Sequence, residues 1–280
     1  MQTLNNKVVV ITGAASGIGR ALALECGRRG AHLLLADLDE PGLAELSAQL
    51  HTLGVTSHTQ RMDAGSEADL FALAQTCQTV FGAADVVVNN AGVTLVSSVE
   101  KLQTPDAHWL MNINFWGVVH GCRAFLPQMR TRPQATLVNI SSIFAMVSVP
   151  SQSMYNAAKA AVRGFSDSLR EELRGTPVNV LCVHPGGIRT HIVDNARMAD
   201  LSLQPVSPQQ MRSSFALNAR TSPEQAALAI VRAIESGQTR LMIGADAKII
   251  DWIYRLWPGR SSAWVSTLAR RRQLATAGKS

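Results

Sequence analysis

Tyr155 and Lys159 are the side chains whose types and spacing point most directly to chemistry. They lie four residues apart in a segment, 153–174, that is predicted to be helical, so they share one helix face. A free phenol has a pKa of about 10 and is a poor base at neutral pH, but a neighbouring ammonium favours the phenolate. The pair therefore predicts a general base for alcohol oxidation, or a general acid for ketone reduction. A surface Tyr–Lys pair is the alternative.

A glycine-rich loop near the N-terminus predicts a phosphate-binding turn. The segment Thr12–Gly19 follows a strand candidate, 7–12, and leads into a helix candidate, 17–29. Glycines let the backbone approach a pyrophosphate closely, and the start of the helix offers free N–H groups and a positive dipole end. A glycine turn that packs the helix on the strand is the alternative.

The elements that must position these residues alternate along the chain. Short apolar runs typical of buried parallel strands are followed by amphipathic segments of helical length. This alternation predicts an α/β fold, a single doubly wound parallel-sheet domain with helices on both faces, over residues 1–245. The segment 188–221 does not follow this alternation of strands and helices and is predicted to be a lid. Strands are predicted at 7–12, 32–37, 55–61, 84–89, 135–140, 178–184 and 240–243, and helices at 17–29, 41–53, 66–81, 105–130, 153–174 and 222–236.

Four motifs together resemble those of the short-chain dehydrogenase/reductase family. The loop has the spacing Gly-x-x-x-Gly-x-Gly, and the chain also carries Asn89-Asn90-Ala91-Gly92, Val138–Ser142 and the Tyr155-to-Lys159 motif. The matching positions extend over residues 7–245, nearly the whole chain. The resemblance implies a Rossmann fold and an oxidoreductase that transfers a hydride between a nicotinamide cofactor and a CH–OH group.

The resemblance implies two more catalytic residues. Ser142, 13 residues before Tyr155, matches the serine that hydrogen-bonds the substrate oxygen, and the adjacent Ser141 is its rival. Asn114 matches an asparagine that bends a helix and holds a water in contact with the lysine. Asn112 is close by, and a merely structural role for Asn114 stays open.

Asp37 predicts which nicotinamide cofactor is used. It ends the second strand, about 20 residues beyond the glycine loop, where a carboxylate binds the adenosine ribose hydroxyls. The same charge repels a 2′-phosphate, so NAD is predicted over NADP. Arg20, near the loop, argues the other way, and an ordinary N-cap role for Asp37 is the alternative.

Further cofactor contacts follow from the resemblance alone. It implies that Asp63 and Ala64 meet the adenine, that Asn90, Ala91 and Gly92 touch the cofactor, and that the Pro-Gly turn after the sixth strand supports the nicotinamide. Asn89 and His184 are interpreted as structural, Asn89 with a cofactor role still open. The predicted cofactor-binding residues are Gly13, Ser16, Gly17, Ile18, Gly19, Asp37, Asp63, Ala64, Asn90, Ala91, Gly92, Tyr155, Lys159, Pro185, Gly186, Ile188 and Thr190.

The predicted substrate pocket is apolar, because the residues after Gly92, after Ser142 and in the lid are mostly apolar. A hydrophobic secondary alcohol or ketone, alicyclic, aromatic or steroid-like, is the predicted substrate. A 3-oxoacyl thioester and a non-catalytic, cofactor-binding regulator are the alternatives, and Arg189 and His191 leave an anionic substrate open. The predicted pocket residues are Val93, Leu95, Phe144, Met146, Val149, Met198, Leu201 and Met211.

Composition indicates the class of protein and the cellular compartment. Hydrophobic residues make up 46% of the chain, which is ample for a buried core. The four cysteines are widely spaced and lack metal-type pairing, so a reducing, cytoplasmic protein without a metal is predicted. There is no transmembrane or signal segment in the sequence pattern. The resemblance further implies a homodimer or homotetramer, formed through the long helices 105–130 and 153–174.

The C-terminal segment 246–280 concentrates the positive charge. Of 26 basic and 20 acidic residues, seven and one lie in 248–280, which leaves 19 of each in the rest of the chain. A charge confined to one end argues against a nucleic-acid partner. Three of the five tryptophans lie in this segment too. It is predicted either to pack on the body or a neighbouring subunit, or to contact anionic lipid weakly.

Overall fold

A seven-stranded parallel sheet forms the centre of the protein, within the residues that the computed structural model describes: 3–190, 192, 196–202, 209–210 and 219–267. The strand order is β3-β2-β1-β4-β6-β7-β9. A separate two-stranded parallel sheet joins β5 and β8. The strands are β1 (Val8–Thr12), β2 (His32–Asp37), β3 (Ser57–Arg61), β4 (Val86–Asn89), β5 (Leu95–Val96), β6 (Ala135–Ile140), β7 (Val178–Pro185), β8 (Arg197–Met198) and β9 (Arg240–Ile243).

Helices cover both faces of the sheet. Buried side chains of α1, α2 and α7 form a core on one face, and those of α3, α5 and α6 form a core on the other. The doubly wound α/β fold class predicted from the sequence is therefore confirmed. The helices are α1 (Gly17–Arg28), α2 (Glu40–Thr52), α3 (Glu67–Phe81), α4 (Thr104–Met111), α5 (Gly117–Met129), α6 (Ser153–Glu172), α7 (Pro223–Glu235), α8 (Ala245–Leu256) and α9 (261–267).

Alternation along β1 explains why its run of apolar residues is continuous. Val9 and Ile11 pack into the core under α1, whereas Val8 and Val10 pack into the core under α3 and α5. Since successive side chains of a strand point to opposite faces, a strand covered on both faces needs an apolar residue at every position. The same pattern is found in β4, where all four residues are buried.

Aspartate and serine side chains cap the starts of α2, α3 and α7. The Asp39 side chain accepts from the N–H of Gly42, and Ser222 with Gln225 forms a full capping box at α7. The Ser66 hydroxyl caps the N–H of Asp69. The Asp69 carboxylate does not return to the backbone of Ser66, because it accepts from the N–H of Asp63 instead.

The predicted helix 105–130 is interrupted. It consists of α4 and α5, joined by a π-helical turn at Asn112–Trp116. A π turn of five residues is too short to be identified from apolar periodicity, so the sequence did not reveal the break by that route. The two-residue strands β5 and β8 were not predicted either, since two residues have no readable period.

The predicted lid 188–221 is tied to the body where it is described. The N–H of Arg197 donates to the carbonyl of Thr94, 3.1 Å away, and the Arg197 guanidinium lies 3.7 Å from the Trp109 ring centroid. Most of the remaining lid lies outside the described residues.

No helix among the described residues is long and apolar enough to cross a membrane. The division into a domain 1–245 and an extension 246–280 stays a prediction.

Candidate active site

The carboxyl ends of the central strands bring the predicted site residues to one edge of the sheet. Asp37 ends β2, Asn89 ends β4, Ser142 follows β6 by two residues, and Pro185 ends β7. All these strands are parallel, so their carboxyl ends open onto the same side. This is the edge at which open α/β sheets bind ligands.

Tyr155 and Lys159 share the inner face of α6, as their spacing predicts. The Lys159 ammonium lies 5.8 Å from the centroid of the Tyr155 ring. The Ser142 hydroxyl hydrogen-bonds the Tyr155 side chain and accepts from the N–H of Phe144 at 3.1 Å. A phenol, a hydroxyl and an ammonium therefore converge where β6 meets α6.

The protonation of this cluster differs from the sequence-based expectation. Burial raises the pKa of Tyr155 to about 12, and the hydrogen bond from Ser142 lowers it only partly. Burial also lowers the pKa of Lys159 to about 8. The Lys159 ammonium donates to the carbonyl of Ile140, 2.9 Å away. Ionising Tyr155 thus requires further positive charge in the site.

Ser141 and Ser142 have different neighbours. The Ser141 hydroxyl is buried and donates to the carbonyl of Lys159 at 2.8 Å, so it ties β6 to the backbone of α6. Only Ser142 reaches the phenol of Tyr155. The geometry favours Ser142 as the residue that would contact a substrate oxygen.

Asn114 occupies the centre of the π-helical turn and is fully buried. Its amide oxygen accepts from the N–H of Val93 and its amide nitrogen donates to the carbonyl of Val93, both at 2.8 Å. A side chain added at Gly92 would meet the Asn114 oxygen at 3.4 Å and the Lys159 ammonium at 3.5 Å, so Gly92 lies between the two groups. Asn112, the rival candidate, is exposed.

The glycine loop leaves the start of α1 free to bind an anion. Ser16 makes no side-chain cap, and the first turn contains no acidic residue. Within the described chain, the N–H groups of Gly17, Ile18 and Gly19 have no acceptor. Gly13 and Gly17 adopt left-handed φ values of 66° and 52°, which suits glycine. The chemistry of these donors fits a pyrophosphate.

Asp37 and Arg20 are both engaged within the protein. One oxygen of Asp37 accepts from the N–H of Ala15 at 2.9 Å, so its carboxylate lies against the glycine loop. The Arg20 guanidinium is held 2.6 Å from the carboxylate of Glu45 on α2. Arg20, the cation that argued for NADP, is therefore paired with the carboxylate of Glu45.

Asn90 makes internal hydrogen bonds beside the glycine loop, and its contact with a cofactor stays a prediction. Its amide nitrogen donates to the carbonyls of Thr12 and Gly13, at 2.9 and 3.0 Å. The Thr12 hydroxyl accepts from the N–H groups of Asn90 and Ala91, at 3.1 and 3.2 Å. The Asn90 side chain therefore joins two loops beneath the glycines, and Thr12 is a residue that sequence reasoning missed. A strand-end threonine alone gives no signal for that role.

Asp63 and Ala64 lie at the carboxyl end of β3. One oxygen of Asp63 accepts from the N–H of Gly65 at 2.8 Å, and Ala64 is buried against the backbone of Gly117. Asn89 belongs to a buried polar network instead: it donates to Asn139 at 2.9 Å, and Asn139 donates to Ser166 at 3.0 Å. The structural interpretation of Asn89 fits these contacts.

The turn after β7 holds a carboxylate that sequence reasoning did not select. Asp246, in the first turn of α8, accepts from the N–H of Gly187 at 2.7 Å. Its oxygens also pack against Gly186, where a side chain would collide with them. The small residue at 186 was expected to allow close approach to a nicotinamide; in the structure it makes room for Asp246. The turn is further held by a bridge from Ile188 to Thr221.

Thr190 and His184 flank this turn. The Thr190 side chain faces Gly17 of the glycine loop. A Cβ atom added at Gly17 would lie 3.2 Å from the Thr190 methyl group. His184 is fully buried and its Nδ1 lies 3.3 Å from the carbonyl of Ser142. Burial lowers the pKa of His184 to about 4, so the ring is neutral at pH 7 and acts as a support behind Ser142.

A cavity of about 530 Å³ opens beside the start of α6. Phe144, Met146 and Val149 line it, as the predicted pocket requires, together with Ser97 and Ser98. Val93 and Leu95 do not line it, because they pack with Tyr155 in a small apolar cluster. Met198 and Leu201 are partly exposed near β8, and Met211 and His191 lie outside the described residues.

Comparison with known proteins identifies relatives over most of the chain. The model of the short chain dehydrogenase family matches residues 7–200. A Mycobacterium tuberculosis protein described as an oxidoreductase, SadH, is 42% identical over 258 residues, covering 91% of this chain and 92% of that protein. The 11-beta-hydroxysteroid dehydrogenase A of Sesamum indicum is 33% identical, covering 94% of this chain and 75% of that protein.

A solved structure has the same architecture. The short-chain dehydrogenase/reductase of Burkholderia phymatum, determined in complex with NAD, superposes with a TM-score of 0.82 at 30% sequence identity. The match covers 91% of this chain and 96% of that chain.

Proposed function

The chain belongs to the short-chain dehydrogenase/reductase family of oxidoreductases, and from this membership we propose that it transfers a hydride between NAD and a hydrophobic secondary alcohol or ketone. The observation that carries the proposal is the convergence of Tyr155, Ser142 and Lys159 at the sheet edge that also bears the uncapped start of α1. A proton-transfer group and a phosphate-binding turn on one edge are what such a reaction needs.

Each catalytic residue has a distinct role in the proposal. Tyr155 takes the hydroxyl proton in oxidation and returns it in reduction, while Ser142 orients the substrate oxygen. Lys159 supplies positive charge behind the phenol. Asn114, bonded to Val93 across the π turn, positions the backbone beside Gly92 and Lys159. Bound nicotinamide supplies the hydride chemistry, and its oxidised ring supplies the additional positive charge that Tyr155 needs.

The preference for NAD over NADP rests on two neighbouring charges. The Asp37 carboxylate accepts from the glycine loop at 2.9 Å, near the start of α1. Repulsion between this carboxylate and a 2′-phosphate disfavours NADP. Arg20, the nearby cation, is occupied by Glu45 at 2.6 Å and offers little compensation. Both observations support NAD.

The hydrophobic substrate is supported by the cavity beside α6. Phe144, Met146 and Val149 give it an apolar wall. A relative named for a hydroxysteroid substrate, 33% identical over 268 residues, also favours a bulky alicyclic molecule. A thioester of a 3-oxo acid is the second candidate, and a panel of substrates separates the two.

A substrate panel with NAD and NADP tests the proposal. We expect NADH absorbance to appear with hydrophobic secondary alcohols, and Tyr155→Phe to lower kcat by about 10²–10⁴-fold, because the proton acceptor is removed. NADH binding, followed by fluorescence, should fall far less than kcat in this variant. Binding without turnover of any alcohol or ketone would reject the enzyme in favour of a cofactor-binding regulator.

We further propose a cytoplasmic homodimer or homotetramer. The four cysteines are free and buried, which suits a reducing compartment. On α6, the small residues Ala157, Ala160 and Gly164 are exposed and would allow close helix packing between subunits. Light scattering that gives the mass of a single chain would reject the oligomer.

A further inference from the structure

Helix α8 has two apolar faces. Its inner face, with Ala247, Ile250 and Tyr254, packs against Met146 and the other residues of the loop after β6. Its outer face carries Ile249, Trp252 and Leu256, whose exposed fractions are 56%, 68% and 59%. These three positions have the i, i+3, i+7 spacing of one helix stripe. The inner face explains how the helix is held, so the outer face needs another explanation.

The exposed apolar residues are concentrated in this part of the described chain. Trp257, directly after α8, and Trp264, in α9, are also exposed, with 60% and 50% of their areas accessible. Eleven large apolar side chains are exposed among the described residues, and five of them lie between 249 and 264. A concentration of this kind, unlike scattered exposed apolar residues, marks an interaction surface. We call these five residues the tryptophan face.

The charges around the tryptophan face are basic. Lys248, Arg255 and Arg260 are exposed along it. The two carboxylates of this region are both engaged within the protein: Asp246 accepts from the N–H of Gly187, and Asp251 is buried and shared between Arg240 and Arg255, at 2.7 and 3.0 Å.

The sequence beyond α9 strengthens this positive charge. Residues 248–280 contain seven basic residues and only one acidic residue, Asp251. Residues 1–247 have 19 of each sign, so the rest of the chain offers no balancing negative charge. A partner that fits the tryptophan face must therefore be anionic and must also be able to contact indole rings.

We propose that the tryptophan face docks on the surface of an anionic phospholipid bilayer. Tryptophan side chains favour the boundary between headgroups and acyl chains, and lysine and arginine side chains are attracted to an anionic surface. Contact between two copies through this face would set basic side chains against basic side chains, since a two-fold interface pairs the same patch with itself. The lipid surface accommodates both the indoles and the cations.

The inner face of α8 links this docking surface to the cavity beside α6. The loop against which it packs includes Phe144, Met146 and Val149, which line the 530 Å³ cavity. Docking would hold that cavity beside the bilayer, where apolar molecules accumulate. The docking itself does not depend on turnover and can be measured independently of the proposed reaction.

Vesicle co-sedimentation of the full chain tests the proposal. We expect binding to vesicles of about 30% phosphatidylserine in phosphatidylcholine, and little binding to phosphatidylcholine alone. Trp252→Ser, Trp257→Ser and Trp264→Ser combined should lower the bound fraction more than about tenfold. Lys248→Glu with Arg260→Glu should have a similar effect, and salt of about 1 M should weaken binding of the wild type.

Trp116→Ser is the matched control, since Trp116 is 46% exposed on the distant π turn. It should bind vesicles like the wild type. Absence of binding by the wild type, or equal binding by the wild type and the triple tryptophan variant, would overturn the proposal. A fall in the number of subunits in the triple variant, measured by light scattering, would assign the face to a second copy and overturn it as well.

Discussion

At the scale of single residues, the two adjacent serines of the site, Ser141 and Ser142, have different roles. Ser141 anchors α6 through the carbonyl of Lys159, whereas Ser142 faces the phenol of Tyr155. The hydrogen bond from Ser142 lowers the pKa of Tyr155, but burial raises it more strongly. The protein alone thus keeps Tyr155 protonated, and a cationic ligand has to complete its activation.

The two serines give a paired prediction. Ser142→Ala removes the hydrogen bond that stabilises the phenolate, so the apparent pKa for alcohol oxidation should rise and kcat should fall by about 10²-fold. Ser141→Ala should leave that apparent pKa in place, although its loss of the bond to the Lys159 carbonyl should lower the melting temperature. The measurement is the pH profile of kcat for both variants. An equal shift in both would remove Ser142 from its assigned role.

Asp37 and Arg20 give a prediction about cofactor choice. Asp37→Asn removes the negative charge beside the glycine loop, so the ratio of kcat/KM for NAD to that for NADP should fall by about tenfold or more. Arg20→Gln is the control and should leave the ratio unchanged, because Glu45 already occupies Arg20. A selective loss of activity with NADP in Arg20→Gln would instead make Arg20 a phosphate ligand.

At the scale of elements, the C-terminal helices brace the loop that leads from Ser142 to α6. The N–H of Ser148 donates to the Ser262 hydroxyl at 3.0 Å, and the Ser266 hydroxyl donates to the carbonyl of Ser148 at 3.1 Å. Val265 of α9 packs in the same cluster as Met146. A wall of the cavity therefore depends on a segment that the sequence placed outside the catalytic unit.

Removing the brace should affect substrate binding selectively. Ser262→Ala with Ser266→Ala deletes two hydrogen bonds, each contributing about 1 kcal/mol. We expect KM for the alcohol to rise several-fold, with the dissociation constant of NADH unchanged. Thr267→Ala is a fitting control, because the partner of its hydroxyl among the described residues is the carbonyl of Ala263 in the same helix. Equal KM values in the double variant and the wild type would refute the brace.

At the scale of the whole molecule, buried polar groups connect the layers. Asn89, Asn139 and Ser166 link β4, β6 and α6, and Arg29 pairs with Glu235 to join α1 to α7. His184 lies in the same interior, where its Nε2 has no partner among the described residues. A neutral imidazole tolerates this position, whereas a charged one would not.

His184 therefore makes folding stability depend on pH. Its pKa is lowered by burial to about 4, from about 6.5 in the unfolded chain. Between pH 4 and pH 6.5 the unfolded state binds a proton that the folded state does not. The contribution of neutral His184 to the free energy of unfolding is therefore complete above pH 6.5, and roughly 3 kcal/mol of it is lost as the pH falls to 4. Denaturant unfolding from pH 7 to 4 should show this slope, and His184→Gln should reduce it.

The exposed His58 provides the comparison, since His58→Gln should keep the wild-type slope. If His184→Gln does not fold, the ring can be titrated by NMR in the wild type. Protonation of His184 above pH 6 in the folded state would contradict the assignment.

The sequence by itself determined the fold class, the family and the local pairing of Tyr155 with Lys159. Continuous apolar runs are enough to identify strands covered on both faces, and four-residue spacing is enough to align two side chains on a helix. The order of the cofactor loop, Asn89–Gly92 and Tyr155–Lys159 then predicts an oxidoreductase. These properties depend on neighbours along the chain, which is why they can be read from it.

Only the tertiary structure decided what each side chain faces. Asn90 joins the two loops under the glycines, Asp246 holds the turn after β7, and Lys159 points to Ile140, none of which the spacing predicts. These contacts form between residues 19 to 78 positions apart, so they depend on how the strands and helices pack. Burial, which sets the protonation of Tyr155, is likewise a property of the packed core and not of the sequence around it.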